Sequence, residues 1–357
     1  MPDETPPGRL VDFVFAVCQI GAEPALKAEV AHLHPGWRFA FSRPGLVTWR
    51  TERPVDADVE LGAVFARAFG ASLGKAATLP ELLRFAEALA ADANQAPLRL
   101  HVFVGEDSNP DEESSAALGA VAAKLRAELL ALAPPTLFVP DARPPRRGEL
   151  VLDVVVRQDE PAWVGFHRHS DAHSPFPGGR VPLALPSEAP SRAWLKLEEA
   201  LAWSHLPLQR GQVAVEIGSA PGGASFALLQ RGLKVVGVDP GKMAPQVLLA
   251  SDFSHLQLSL GDLRREQLPA KVDWLLMDVN LAPQVALHGV RRIVATLRPA
   301  LRGVIFTLKL NDWKMAAEVP ALCARVAGMG LQDVRATQLH ANRREICVVA
   351  TAPARKR

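Results

Sequence analysis

Four charged side chains fall at or next to the ends of apolar segments, where a doubly wound α/β sheet places its active site. They are Lys196, Asp278, Lys309 and Glu345. Lys309 is the most unusual, because it closes the otherwise apolar segment Val304–Leu308. Each residue alone has a plain explanation, since lysine and glutamate at the ends of elements are commonly solvated. Together, two amines and two carboxylates could hold and transfer a proton, which is general acid–base chemistry.

A glycine-rich turn predicts the element that would hold a cofactor beside these residues. Alternate apolar residues in Val213–Ile217 predict a buried strand, which leads into Gly218–Gly223 and then into a helix. The glycines let the backbone come close to a ligand at the strand ends. The next strand, Val235–Val238, ends in Asp239, whose carboxylate suits ribose hydroxyls. A lone glycine turn would be weak evidence, but the two features together predict a nucleoside-cofactor site.

The spacing of the glycines separates the possible cofactors. It is Gly-x-x-x-Gly-Gly, and not the Gly-x-Gly-x-x-Gly of nicotinamide enzymes or a Gly-Lys-Ser/Thr phosphate loop. With this turn, the chain resembles the class I methyltransferases that bind S-adenosylmethionine. Ser219–Gly223 and the four charged residues are similar to those of the FtsJ-like group, which methylates ribose 2′-hydroxyls. Glu216 stands where that group usually has Asp, and Ala224 where it often has an aromatic residue, but the carboxylate and the backbone path remain.

Longer segments resemble one family of this group, the large-subunit ribosomal RNA methyltransferases M. The similarity lies in Ala189–Glu199, Phe306–Leu310, Gln338–Glu345 and Ser174–Phe176, with departures at Asn311–Lys314 and in the histidine-rich linker. In the amino-terminal half, Gln19–Glu23 and Phe39–Arg43 resemble the THUMP-containing RNA-binding part of that family. The resemblance implies methyl transfer to a cytidine 2′-hydroxyl in 23S ribosomal RNA, free or in a precursor particle. The cofactor-binding residues that we predict with its help are Ser191, Gly218, Ser219, Ala220, Pro221, Gly222, Gly223, Asp239, Asp262 and Asp278.

The two lysines are expected to have different roles in such a reaction. A ribose hydroxyl is a very weak acid, and an amine can take its proton only when neutral, whereas the ordinary pKa of lysine is about 10.4. A second ammonium nearby and partial burial would both lower that pKa. We therefore expect Lys309 to be the base and Lys196 to be the cation that lowers its pKa. Asp278 is expected to orient Lys309, and Glu345 to fix the second lysine or the substrate ribose.

The patterning predicts an α/β protein of two domains. We expect a mixed α/β, THUMP-containing RNA-binding domain at 1–165, a linker at 166–186, and a Rossmann-like methyltransferase domain at 187–357. The second domain should have a mostly parallel sheet that a terminal antiparallel hairpin closes. The predicted strands are Phe13–Cys18, Leu46–Trp49, Leu98–Val104, Leu150–Val156, 213–217, 234–238, 256–260, 272–277, 303–308, Val334–His340 and Glu345–Ala350. The predicted helices of the first domain are Glu23–His32, Leu79–Ala91 and Ser114–Leu132.

Composition limits the partners and the compartment of the 357-residue chain. A net charge of +2 means that RNA contacts must come from local patches, and we expect no DNA partner. Three scattered cysteines form no disulfide or zinc pattern, which is typical of the reducing cytoplasm. We see no signal peptide and no apolar run of membrane-spanning length, so we expect no membrane partner.

Several alternatives remain open. Methylation of base amines usually needs an Asp/Asn-Pro-Pro-aromatic turn, but the chain reads Asp278-Val-Asn-Leu281 there. Methylation of cytosine carbon needs a cysteine nucleophile, and we expect no cysteine near the glycine turn or Asp278. Another RNA could be the target, or the chain could bind RNA without catalysis. A metal at His167, His169 and His173 lacks further ligands, and we expect these histidines to be exposed or to face RNA.

Overall fold

The computed structural model describes residues 9–92, 97–105, 112–141, 143–157 and 160–353, and the side chains at 112–118 lie outside this description. The chain divides into two compact units, Met1–Arg180 and Val181–Arg357. Among the described helices, none combines the length with the apolar character that crossing a bilayer would require.

The described part of the amino-terminal unit contains one mixed sheet and three helices. Its strands are β1 Val11–Val17, β2 Arg38–Arg43, β3 Leu46–Val55, β4 Ala68–Ala76, β5 Arg99–Val104, β6 Leu150–Arg157 and β7 Glu160–Arg168. Its helices are α1 Glu23–Leu33, α2 Leu79–Asp92 and α3 Glu112–Leu132, and a single 3₁₀ turn lies at Pro177–Gly179. The strand order is β2-β3-β1-β4-β7-β6-β5, with β5 and β6 parallel and the other neighbours antiparallel. The predicted mixed α/β unit is confirmed.

Both faces of this sheet are covered near its centre, which explains why β6 is apolar from Leu150 to Val156 except at Asp153. Successive side chains of a strand point to opposite faces. Val154 belongs to the core in which Leu89 of α2 and Leu129 of α3 are buried. Val155 belongs to a second core, with Phe15 and Phe103, on the other face. A strand that is buried on both sides has no polar alternation, as in parallel sheets.

Three strands of this sheet, β2, β4 and β7, were not predicted from the sequence. Strand β2 is largely exposed, so the period of two that marks a half-buried strand is missing. Strand β4 contains Gly70 and Gly74, and glycine is depleted in strands. Strand β7 begins with Glu160-Pro161, and it continues through Arg168, so the first three residues assigned to the linker are strand.

The carboxy-terminal unit is built around one sheet that is parallel except at one edge. Its strands are β8 Val213–Ile217, β9 Lys234–Val238, β10 Phe253–Leu256, β11 Trp274–Asp278, β12 Gly303–Lys309, β13 Gln332–Thr337 and β14 Glu345–Thr351. Its helices are α4 Ala193–Ser204, α5 Gly223–Gln230, α6 Pro245–Leu248, α7 Pro283–Leu297 and α8 Val319–Ala327, with 3₁₀ turns at Arg265–Gln267 and Trp313–Glu318. The strand order is β10-β9-β8-β11-β12-β14-β13, and β14 is antiparallel to both neighbours. The predicted Rossmann-like sheet with a terminal hairpin is confirmed, but the strand predicted at 256–260 is wrong, because β10 ends at Leu256.

The histidines at the end of β7 are not the exposed group that the sequence predicts. His167 and His169 have 3% and 8% of their surface exposed. Burial and the neighbouring His167 lower the pKa of His169 to about 4 and that of His173 to about 3. These two rings are therefore neutral near pH 7 and cannot attract phosphate there. No cluster of three or more potential metal-ligating side chains was found among the described residues.

A buried carboxylate holds this histidine group in place. His167 Nδ1 lies 2.6 Å from Asp153 Oδ2, and His101 Nδ1 lies 3.5 Å from Asp153 Oδ1. Burial alone would raise the pKa of Asp153, but His167 and His101 outweigh it and bring the pKa to about 2. Asp153 is therefore ionised, and it accepts hydrogen bonds from both rings.

Replacing this carboxylate should weaken the amino-terminal unit. Asp153→Ala leaves two buried imidazoles without their acceptor, which costs about 3 kcal/mol of local stability. Native-state hydrogen exchange of the β6 and β7 amides should report this loss. The exposed Asp12→Ala in β1 of the same sheet is the control, and it should change the opening free energy by less than about 0.5 kcal/mol. Equal effects of the two variants would contradict a structural role for Asp153.

Candidate active site

The fold brings the four charged residues of the sequence prediction to one edge of the carboxy-terminal sheet. Asp278 and Lys309 end the parallel neighbours β11 and β12, so both lie at the carboxyl edge. Strand β14 runs the other way, so its first residue, Glu345, pairs with Lys309. Lys196 reaches the same place from helix α4.

The four side chains form a closed ring of ion pairs, which we call the charge ring. Lys196 Nζ lies 3.0 Å from Asp278 Oδ2 and 2.8 Å from Glu345 Oε1. Lys309 Nζ lies 3.1 Å from Asp278 Oδ1 and 2.6 Å from Glu345 Oε2. Each lysine therefore bridges both carboxylates, and each carboxylate uses one oxygen for each lysine. The exposed fractions of the side chains run from 7% for Glu345 to 24% for Lys309, so the ring is shielded but open to a substrate.

From the sequence we expected the pKa of Lys309 to be lowered, but the charges in this ring raise it. Burial lowers that pKa, but Asp278 and Glu345 more than offset burial, and the net shift is upward. The expectation considered Lys196 and burial, and it omitted two carboxylates in direct contact. For Glu345 the directions are opposite. Burial raises the pKa of this carboxyl group, but Lys196 and Lys309 outweigh burial and hold the pKa low. In the described arrangement Lys309 is a protonated amine at neutral pH.

The glycine turn has the backbone shape that the sequence predicts. Gly218 and Gly222 have φ angles of 82° and 114°, which side chains rarely adopt. A Cβ atom at Gly218 would collide with the carbonyl oxygen of Asp278, so the turn passes directly over the end of β11. Only glycine allows this close approach.

Asp239 is fixed by the same turn. Its Oδ2 accepts the N–H of Ala220 at 3.2 Å, and its Oδ1 accepts that of Gly241 at 2.6 Å. A carboxylate oxygen has two lone pairs, so both oxygens keep one for the hydroxyls of a ribose. The residues at this strand end therefore fit a nucleoside cofactor.

The remaining predicted cofactor residues differ in how close they lie to the turn. Ser191 Oγ packs against Gly223, where a Cβ atom would collide with it. Ser219 is buried, and its hydroxyl donates to the sulfur of Met243 at 3.6 Å. Asp262 is exposed in the loop after β10 and accepts the hydroxyl of Ser259 at 2.6 Å. Cofactor contacts by these residues remain predictions.

Comparisons with known proteins identify the family of this chain. The FtsJ-like methyltransferase family matches residues 189–316. A ribosomal RNA large subunit methyltransferase M of Alkalilimnicola ehrlichii is 38% identical over 50% of this chain and 51% of that protein. One from Azoarcus is 34% identical over 56% of each, so these two matches span about half of the relatives. One from Aromatoleum aromaticum is 30% identical over 96% of each chain. The chain belongs to the ribosomal RNA large subunit methyltransferase M family.

Within this family fold, Glu199 holds the hairpin that carries Glu345, a role that sequence reasoning missed. Glu199 is 5% exposed, and its Oε2 accepts the N–H of Ala341 at 2.7 Å. Ala341 lies in the turn before β14, and Glu199 lies one helical turn after Lys196. One helix therefore supplies a member of the charge ring and also fastens the loop that leads to another. The signal in the sequence was an acidic residue on the apolar side of α4, three positions from a lysine.

Cys347 lies closer to the charge ring than the sequence suggests. It pairs with Thr307, which pairs with Asp278, and it lines a small cavity together with Lys196 and Asp278. The expectation that no cysteine lies near Asp278 is therefore wrong, because the strand pairing brings Cys347 close to it. Burial, with the charges of Asp278 and Glu199, raises the pKa of Cys347 to about 12. Its sulfur is a buried thiol at neutral pH, and a thiol is not the nucleophile that cytosine-carbon methylation needs.

Glu216 and Ala224, the two departures from the FtsJ-like pattern, line the same cavity. Glu216 is 3% exposed and accepts a hydrogen bond from the hydroxyl of Ser225. Burial raises the pKa of Glu216 to about 8, the Ser225 bond opposes the shift, and Asp278 and Asp239 add to it. Glu216 is therefore protonated at neutral pH.

The raised pKa of Glu216 predicts that the fold loses stability as pH rises from the ordinary pKa of 4.5 to about 8. A carboxyl group whose pKa rises on folding stabilises the fold fully below its unfolded value, and this contribution is lost as pH rises through about 8. Each pH unit in this range lowers the free energy of unfolding by about 1.4 kcal/mol, so this free energy should fall by roughly 3 kcal/mol between pH 6 and pH 8. Glu216→Gln stays neutral and should remove this dependence, as urea unfolding at both pH values would measure. The same pH dependence in the variant would show that another group causes it.

Proposed function

We propose that this chain methylates the 2′-hydroxyl of a cytidine in 23S ribosomal RNA, in the cytoplasm, with S-adenosylmethionine as methyl donor. The observation that carries the proposal is the charge ring at the strand ends beside the glycine turn. Two lysines on two carboxylates suit the removal of a proton from a weakly acidic hydroxyl. The family relation supports large-subunit ribosomal RNA as the substrate class, since that is what the relatives are named for.

Each residue of the site has a defined task in this proposal. S-adenosylmethionine, when bound, supplies a methyl group on a positively charged sulfur. Gly218–Gly223 would leave room for it, Asp239 would hold its ribose, and Ser191 and Asp262 are further candidate contacts. Lys309 would take the proton of the substrate hydroxyl as that oxygen attacks. Asp278 and Glu345 would keep the amine of Lys309 aimed at the hydroxyl, which favours the reaction through alignment.

Lys309 has to lose a proton before it can act as a base. With an ordinary lysine pKa, about one amine in a thousand is neutral near pH 7.4, and the two carboxylates make this fraction smaller. Lys196 counters part of their effect, because a like charge favours the neutral amine. Water leaves the ring when RNA covers it, and desolvation then disfavours the ammonium further.

The amino-terminal unit would present the RNA. Its described ion pairs include a ring of Arg99 and Arg143 with Asp141 and Glu149, but a guanidinium stays protonated and cannot act as the base. Its sequence resembles a THUMP-containing RNA-binding part. A chain that binds RNA without catalysis is the main alternative. Its prediction is cofactor-independent RNA binding with no methyl transfer.

Methyl transfer to RNA tests the proposal directly. The chain, tritiated S-adenosylmethionine and total RNA or ribosomal particles should give label in 23S RNA. A 2′-O-methyl group blocks alkaline cleavage, so the label should map to an alkali-resistant dinucleotide that contains cytidine. Label in another RNA would change the substrate, label in a base would exclude the mechanism, and absence of label would favour the binding protein.

Replacement of Lys309 tests the identity of the base. Lys309→Ala should lower the single-turnover rate about 10²–10⁴-fold while cofactor affinity changes little. Lys309→Arg should fail nearly as badly, because a guanidinium stays protonated. The control is Lys271→Ala, whose side chain is 65% exposed and pairs with Asp273. If the arginine variant keeps a rate near that of the unmodified chain, Lys309 is not the base.

The dependence of the rate on pH tests the role of the second lysine. Because the pKa of Lys309 is raised, the single-turnover rate should climb about tenfold per pH unit from pH 7 to pH 9. Lys196→Met removes the opposing cation, so the pKa of Lys309 should rise further and the rate at each pH should fall. Lys196→Arg keeps the charge and is the control. A rate that does not depend on pH would contradict a lysine base, unless a step other than chemistry limits it.

A further inference from the structure

An aromatic and cationic surface lies on the sheet of the amino-terminal unit. The rings of Phe41 and Trp163 are stacked, with centroids 5.6 Å apart and an angle of 16° between the planes. Lys75 Nζ lies 4.6 Å from the centre of the Phe41 ring and 5.2 Å from that of Trp163. The guanidinium carbon of Arg43 lies 5.1 Å from the Phe41 ring centre. We call these four residues the aromatic platform.

The strand register places this platform on the face of the sheet opposite α2 and α3. Phe41 pairs with Thr48, and Thr48 pairs with Phe15, so the three point to one face. Phe15 and Trp163 belong to the core on that face, whereas α2 and α3 pack into the other core. The platform therefore tops a rigid sheet and is not part of a loop.

One part of this face is covered by the chain that follows β7, and the platform is open. The 3₁₀ turn Pro177–Gly179 packs so closely on Phe103 that a Cβ atom at Gly178 would lie 2.6 Å from its ring. At the platform, Arg43 and Lys75 are exposed, and Phe41 and Trp163 are partly exposed. A ligand could thus reach both the cations and the exposed parts of the rings.

The charges around the platform favour an anionic partner. Glu160 lies 3.7 Å from Arg43 and 3.5 Å from Arg157, so it opposes two arginines. With Lys75, this surface has three cations and one carboxylate among its described residues. Nucleic acid supplies regularly spaced phosphates for the cations and flat bases for the rings.

We propose that the aromatic platform binds a single-stranded segment of the RNA substrate, with a base against Phe41 or Trp163 and phosphates at Arg43 and Lys75. This inference rests on the proposed function, because RNA is its substrate class. A single strand is required, since the bases of a duplex are stacked on one another and their faces are closed to side chains. Stacking on aromatic side chains depends little on base identity, so the platform would add affinity more than sequence specificity.

The same strand provides a matched control for this surface. Lys27 Nζ lies 4.5 Å from the centre of the Phe39 ring, which is again a lysine over a phenylalanine of β2. A β-bulge between Phe39 and Phe41 lets Phe39 pair with Trp49 while Phe41 pairs with Thr48. Trp49 and Thr48 are consecutive, so the two phenylalanines point to opposite faces. The double variants Phe41→Ala/Lys75→Gln and Phe39→Ala/Lys27→Gln remove the same chemistry from different faces.

The experiment is fluorescence anisotropy of the full chain with a labelled single-stranded 12-nucleotide RNA and with a duplex of the same sequence, at several salt concentrations. The Phe41→Ala/Lys75→Gln variant should bind the single strand about tenfold to a hundredfold more weakly. Its plot of log affinity against log salt should be shallower by about 0.7, the share of one lost phosphate contact. The Phe39→Ala/Lys27→Gln variant should bind the single strand as the unmodified chain does. The two double variants should bind the duplex with similar affinity.

Several outcomes would overturn the platform. These are unchanged binding of Phe41→Ala/Lys75→Gln, an equal loss in the control variant, or a loss confined to the duplex. If the double variant does not fold, the exposed single changes Lys75→Gln and Arg43→Gln must each weaken binding severalfold and reduce the salt dependence, and unchanged values would also overturn it. Methyl transfer by the unmodified chain, measured in parallel, separates the two proposals. Transfer without an effect of the platform variants contradicts the platform alone, and platform-dependent binding without transfer contradicts the catalytic proposal alone.

Discussion

The carboxyl edge of the carboxy-terminal sheet depends on the mutual neutralisation of two lysines and two carboxylates. Each member of the charge ring comes from a different element, α4, β11, β12 or β14, and each is shielded from water to a degree that would be costly for an isolated charge. Since each lysine of the ring touches both carboxylates, loss of one member leaves the others with a net charge that is costly in this shielded position. The ring therefore fixes how the helix before the glycine strand and the terminal hairpin meet the parallel sheet.

The same contacts oppose the proton transfer that we propose for Lys309. Asp278 and Glu345 hold Lys309 in place, and by doing so they raise its pKa and keep its proton on. In the proposed mechanism, a base that is well positioned but protonated is of little use until its surroundings change. Local arrangements that are unfavourable for the resting chain are common at functional sites. On this view the chain is poised for a substrate that removes water from the ring, and its resting state favours stability over reactivity.

How much the sequence could predict depended on whether a property is local or arises between strands. The strand-end positions of Asp278, Lys309 and Glu345 are local, and the parallel sheet brings such positions together. The proximity of Cys347 to Asp278 requires the register of β14 on β12, which no periodicity contains. The pKa of Lys309 requires the distances to both carboxylates.

The burial of His167 had a usable signal, because Asp153 interrupts an apolar strand and a buried carboxylate needs a partner. Strand β2 had almost none, since it is exposed and bulged.

The weak overall charge of the chain limits how RNA can be recognised. At a net charge of +2 the molecule has little long-range field with which to attract a polyanion, so affinity must arise from contact. His169 and His173 cannot supply it near neutral pH, because their pKa values are about 4 and 3. Stacking is the contact interaction that salt weakens least, and cations beside the rings then need to neutralise only a few phosphates. A surface that combines aromatic rings with two or three cations is therefore better suited to this chain than a broad basic patch.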